Sequence, residues 1–291
     1  MIDNYKPIKT SKTFKEQLEI LKNRGLIIND ETSVLIILKE INYYRLSGYM
    51  LSFKTKDDLF LPNITFENVY SIYKLDKQLR LLLLDIIENI EIAFRTHISY
   101  HFAHKYGPVG YKNPKNFNDK EFHNQFLLDL KENINKNKYR ELFIKHHIKK
   151  YAGEFPIWVV VEILSFGNLS KLFKNMRNED KEIICETYYK IPFQYIQSWL
   201  HNLSYIRNVC AHYSRLYNKT FKVLPKFSNR DKKLFKPTGR IFDTIFILKK
   251  LIFNNQEWLN FTKKLDNLFR DNPIINKKLL GSPDNWLELL K

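Results

Sequence analysis

Apolar residues return every three or four positions along most of this chain, the spacing that turns one face of an α-helix toward a core. The longest such run starts near Thr65 and ends near Tyr106. Ile72, Leu75, Leu79, Leu83, Ile86, Ile90, Phe94, Ile98 and Phe102 recur at helical spacing before Gly107 and Pro108 stop it. Ahead of it, residues 13–24 predict a short amphipathic helix ending at Gly25. Residues 30–50 predict a second, with Asp30 or Thr32 as N-cap and Gly48 near its end. The stretch KTKDDLFLPNITF, polar and then extended, predicts a small hairpin. GPVGYKNPKNFNDK reads as a loop, residues 120–150 as one or two basic helices, and 156–176 as an apolar helix interrupted near Gly167. Another helix covers 178–190, and Pro192 opens one that runs through residue 213 or beyond. A basic, irregular connection over 219–240, helix again over 240–270, and GSPDNW before a last short helix complete the pattern. The sum is an all-α protein with no repeats. It divides into an N-terminal helical extension, 1–64, and a helical domain, 65–291, or forms one continuous domain.

Composition sharpens this picture. Only 8 Gly and 10 Pro in 291 residues favour long helices over a turn-rich β fold. With 44% hydrophobic and 27% charged residues the chain is globular rather than disordered, and long enough to bury a core without staples. Lys and Arg outnumber Asp and Glu by 48 to 31, a net charge of +17. Such an excess points to a polyanionic partner, whether nucleic acid, an acidic protein or an anionic membrane; a lysine-rich genomic bias is the bland explanation. Cys185 and Cys210 form neither a CxxC pair nor a disulfide framework, which suits a reducing cytosol. MIDNYKPIKT lacks the apolar stretch of a signal peptide. LLLLDIIENIEIAF and IWVVVEIL are too charged or too short to span a bilayer. A cytoplasmic protein without a membrane partner is the expectation.

One helix carries candidate chemistry. Projected at about 100° per residue, Ile196, Trp199, Leu200, Leu203, Ile206 and Cys210 share one face. His201, Ser204, Tyr205, Asn208, His212 and Arg215 share the other, so Asn208 and His212 are neighbours one turn apart. Arg207 falls at the edge of the apolar stripe near Leu200. A guanidinium there must snorkel, pair with a carboxylate or hold a phosphate. Glu91, with Arg95 beside it on the long helix, is a candidate partner for Arg207. An imidazole can move a proton to or from an oxygen, and a guanidinium stabilises charge on a phosphoryl group. RNA supplies its own nucleophile, the 2′-OH, so such a site needs no metal and no cofactor. It leaves a 2′,3′-cyclic phosphate and a 5′-hydroxyl. One histidine is a thin set for both acid and base, which implies two copies facing each other in a homodimer. An R-x4-H spacing alone is weak, and a satisfied structural histidine is the default.

Longer stretches say more. EQLEILKNRGLII, INYYRLSGYM, YKLDKQLRLLLLDIIENIEIAFRTHISYHFAHKYG, PIWVVVEILSFGNLSKLF, WLHNLSYIRNVCAHYSRLYN and the closing GSPDNW occur in that order. In them the chain resembles the Abi-like family of bacterial abortive-infection proteins, the AbiD/AbiF group of the HEPN superfamily. The resemblance implies a HEPN-type helical bundle carrying the N-terminal extension and additional C-terminal helices. It places the superfamily's R-x4-6-H motif on Arg207, Asn208 and His212, the ribonuclease residues of active members, at a dimer interface. It assigns Glu91 and Arg95 a supporting role. It also implies an RNA partner, including small non-coding RNA. Related modules occur in the type VI CRISPR effector nucleases, and some HEPN proteins are inactive binders.

Other constellations weigh less. His97, His101 and His104 have metal-ligand spacing but lie on an apolar stripe without a fourth ligand, so core or interface histidines are expected. From Arg215 to Arg240 there are nine Lys/Arg and one acidic residue, Asp231, interleaved with Tyr217, Phe221, Phe227 and Phe235. Arg215, Lys219, Lys222, Lys226, Arg230, Lys232 and Lys233 are the expected RNA contacts. The aromatics belong either to stacked bases or to the core. The tyrosines around Arg45 read as structural, and Glu162 as an exposed or paired carboxylate. The resulting expectation is a metal-independent endoribonuclease of antiphage defence, with a non-catalytic RNA-binding defence protein as the competing reading.

Overall fold

Capping side chains decide where the first helices begin and end. The structure, a computed structural model, describes residues 8 and 10–291; the N-terminal stretch read as lacking a leader lies largely outside them. Helix α1 (Phe14–Asn23) starts on a reciprocal cap, in which the Thr13 hydroxyl accepts from the Glu16 N–H and the Glu16 carboxylate accepts from the Thr13 N–H. Gly25, at φ +86°, ends it. The single helix expected over 30–50 is two. Asp30 caps α2 (Glu31–Glu40), Ile41 turns extended, and the Asn42 side chain accepts from the Tyr44 N–H to start α3 (Tyr43–Met50). A short polar cap outcompetes helix continuation there. The expected hairpin is a lone antiparallel bridge between Lys54 and Phe60.

Thr65 and Asn68 exchange the capping bonds that open α4 (Phe66–Tyr106), and Gly107 closes it. The chain divides into two compact units, and the division falls inside this helix: residues 1–78 with 268–276 form one, 79–267 with 277–291 the other. The sequence division at 64/65 lies more than three turns earlier. The first turns of α4 pack with the N-terminal helices, and Tyr49 donates its hydroxyl to buried Asp76 at 2.7 Å and meets the Tyr73 ring edge-on.

The larger unit holds the remaining helices: α5 (Lys120–Asn137), α6 (Leu142–Lys150), α7 (Ile157–Ile163), α8 (Phe166–Asn175), α9 (Asn178–Tyr188), α10 (Phe193–Ala211), α11 (Asn229–Leu234), α12 (Ile241–Leu248), α13 (Asn255–Arg270, whose last turn belongs to the smaller unit) and α14 (Trp286–Leu290). The break expected at Gly167 comes earlier, where Ser165 caps α8. Among the described residues there is no strand beyond isolated bridges, so the protein is all-α. No described helix is long and apolar enough to cross a membrane. Helix α10 packs against α8, α9 and α12, burying Ile196, Trp199, Leu200, Leu203 and Ile206.

Candidate active site

The end of α10 builds the site. Ala211 is its last residue, two short of the expected length, and His212 is the C-cap. The chain then closes in a Schellman motif: Tyr213 N–H donates to Cys210 O at 3.0 Å and Ser214 N–H to Val209 O at 3.0 Å. This turn needs a left-handed residue at position 213, and Tyr213 supplies it at φ +57° where glycine is usual. The turn fixes His212 against the last helical turn, with its N–H on Asn208 O at 2.9 Å.

Arg207, Asn208, His212 and Tyr213 are all exposed. Arg207 does not lie at a buried edge. It sits two turns beyond fully buried Leu200 on the same line of the helix, and the packing that covers Leu200 does not reach it. Its Nη1 approaches Asn208 Oδ1 at 3.5 Å, so the guanidinium and amide share one surface. The His212 ring makes no hydrogen bond to another described residue. His123 shows the contrast: it is 1% exposed, with Nε2 bonded to Tyr111 O at 2.8 Å, and so is committed to the core. An exposed, uncommitted imidazole beside a guanidinium and an amide can meet a phosphodiester without rearranging a core.

The supporting pair closes on itself within α4. Arg95 Nη2 binds Glu91 and also donates to Leu164 O at 2.9 Å, at the joint between α7 and α8. The two side chains are 11% and 13% exposed, and Arg95 Nη1 is buried without a partner. Glu91 is thus satisfied by its own helix neighbour, and no ion pair joins it to Arg207 as the sequence suggested.

The basic segment folds back along α10. Trp199 Nε1 donates to Lys226 O at 2.7 Å, Asn202 Nδ2 to Val223 O at 2.8 Å, and Lys226 N–H to Ser198 Oγ at 2.9 Å. Tyr217, Phe221 and Phe235 are buried, and Phe227 meets the rings of Phe235 and Phe246. The aromatics are therefore core. Lys222, Lys226, Arg230, Lys232 and Lys233 are exposed, while Arg215 and Lys219 are partly covered. From Phe221 to Lys226 the segment leads toward the start of α10, so Lys222 and Lys226 lie along the helix. Asn202 was not singled out in the sequence, and Ser204 was placed on the polar face. Both are buried, Asn202 because Thr244 Oγ1 and Val223 O satisfy its amide. The signal for Asn202 was present: an amide set between Leu200 and Leu203.

His97, His101 and His104 have separate surroundings. His97 stacks on Tyr188 at 3.6 Å and bonds the Tyr189 hydroxyl, and burial lowers its pKa to about 4. Burial, with the neighbouring His104, also lowers that of His101. His104 Nδ1 bonds Tyr100 O at 2.7 Å.

A family model described as Abi-like protein matches residues 36–218, more than half of the chain. The chain belongs to the Abi-like family. The match begins inside α2 and ends just past the Schellman turn, so in this Abi-like protein it takes in Glu91, Arg95, Arg207, Asn208, His212 and Arg215. The cations from Lys219 onward lie beyond it. No curated protein and no solved structure matches the chain.

Proposed function

We propose that this Abi-like protein is an abortive-infection ribonuclease of the HEPN type that cleaves RNA without a metal. The observation that carries the reading is the exposed triplet at the end of α10: Arg207 and Asn208 in contact, with His212 fixed one turn on by the capping motif. The 2′-OH of the substrate attacks the adjacent phosphorus, and the 5′-oxygen leaves. His212 takes or gives the proton, Arg207 meets the charge that builds on the phosphoryl oxygens, and Asn208 orients one of these partners. A second copy across a two-fold axis supplies the second imidazole that acid and base together require.

The test is incubation of the purified protein with RNA in the presence of a chelator. Fragments ending in 2′,3′-cyclic phosphate and 5′-hydroxyl are expected, and His212→Ala should abolish them without lowering the melting temperature. Full cleavage by His212→Ala removes the assignment. RNA binding by the wild-type protein with no cleavage would favour the non-catalytic reading, which the exposed cations of the 222–233 segment also suit.

A further inference from the structure

The segment that folds back along α10 does more than cover it. Together with Gln194 and Tyr195 of the first turn of α10, Leu224, Lys226, Lys232 and the Pro237–Gly239 turn, it encloses an open groove of about 860 Å³. That is large enough for a small-molecule-sized ligand. Phe221 N–H donates to Gly239 O at 2.8 Å, so the two sides of the groove are tied by backbone and the shape is preformed. One wall is apolar, with Leu224 half-exposed and the Tyr195 ring partly so.

Charge decides what such a groove accepts. Lys226 and Lys232 stand in its wall, and Lys222, Arg230, Lys233 and Lys236 are exposed along the same segment. The two carboxylates nearby are already committed. Asp243 accepts from the Thr238 and Gly239 N–H groups at 3.1 and 2.7 Å. Asp231 caps α11 through Ser228 and pairs with Lys250. The rim is therefore cationic and borders an apolar face. Flat unpaired bases on an apolar wall, with phosphates on lysines, are what single-stranded nucleic acid offers. A duplex hides its base faces and cannot use that wall.

We propose that this groove is a binding site for unpaired RNA, separate from the cleavage site. Tyr195 precedes Asn208 by thirteen helical residues, about 20 Å along the axis. An RNA that occupies the groove and reaches His212 must be single-stranded across several nucleotides. The span rests on the ribonuclease reading; occupancy of the groove does not.

The experiment measures fluorescence-anisotropy binding of labelled uridine-rich RNA, single-stranded and as a duplex, to full-length His212→Ala protein over a salt series. Single strands are expected to bind more tightly than the duplex. Adding Lys226→Ala and Lys232→Ala should weaken single-strand binding about tenfold and reduce the salt slope by about 1.4, near 0.7 for each phosphate no longer neutralised. Lys263→Ala with Lys264→Ala removes the same charge elsewhere on the surface and should cost much less. An equal loss in that control, equal binding of duplex, or no loss in the groove variant overturns the proposal. Melting curves of each variant separate these outcomes from misfolding, and Leu224→Asp tests the apolar wall independently. A groove variant that binds normally while His212→Ala abolishes cleavage sinks the groove alone. The reverse pair of results sinks the ribonuclease reading alone.

Discussion

Tyr213 holds a backbone conformation that costs a residue with a side chain about 1–2 kcal/mol relative to glycine. It does so next to His212, at a position where the helix end requires φ near +57°. Tyr213→Gly should therefore raise stability by up to about 1 kcal/mol, read as a higher urea midpoint at unchanged slope. A lower midpoint would mean that the tyrosine ring contributes more than its strain costs. His97 behaves differently because burial, and not backbone geometry, sets its chemistry. Its pKa falls from 6.5 to about 4 in the folded protein. Above about pH 6.5 both folded and unfolded states hold it neutral, and it adds nothing to the pH dependence. As pH drops below that, the unfolded chain binds the proton first. Stability then falls until the folded state also protonates, near pH 4. His97→Asn, whose side-chain amide takes the place of Nδ1 toward the Tyr189 hydroxyl, should flatten this decline in urea titrations between about pH 7 and 4.5. His101 shifts the same way and should leave a residual slope.

At the scale of elements, the fold-back of residues 219–227 hangs on few bonds; Asn202 makes one of them, to Val223 O, and is itself held by the Thr244 hydroxyl of α12. Asn202→Ala leaves Val223 O and the Thr244 hydroxyl unpaired beside a core, a loss of about 1–3 kcal/mol. Hydrogen exchange should accelerate over 219–227 before it does in α8; uniform acceleration would show that the segment does not open by itself. This long-range arrangement was not legible in the sequence. Periodicity located most of the helices, because apolar spacing is a local property that packing seldom contradicts; it missed α11 within the stretch read as irregular and ran α12 and α13 together. It failed where one side chain decides. Asn42 broke a helix that propensity would continue, and Ser165 ended a run ahead of the glycine that looked responsible. The triplet was legible as residue types, and Asn208 and His212 as members of the polar face, yet the exposure of Arg207 was not. A helical wheel gives angle and not height, and Arg207 shares an angle with Leu200 while standing past the end of the packing. The interleaved aromatics were equally consistent with stacking on bases until their burial assigned them to the core.

For the whole molecule, the proposed chemistry sets a requirement that one chain does not meet. Proton removal from the 2′-OH and proton delivery to the leaving 5′-oxygen each need a group of suitable basicity, and the exposed triplet holds one imidazole. If two copies share one site, a subunit lacking the imidazole disables its partner. When wild-type and His212→Ala chains are mixed in equal amounts and allowed to exchange, random pairing leaves about a quarter of the dimers fully wild type. Cleavage should then fall to about one quarter of that of the same total number of wild-type subunits, whereas subunits that act alone would keep about one half. The charge of the chain bears on the same measurement. At +17 two copies repel each other, and screening weakens that repulsion within about 10 Å at moderate ionic strength. Assembly should therefore tighten as salt rises while RNA binding weakens. Sedimentation across a salt series separates the two trends. A chain that stays monomeric throughout, yet cleaves RNA, would place the second proton carrier within the same subunit.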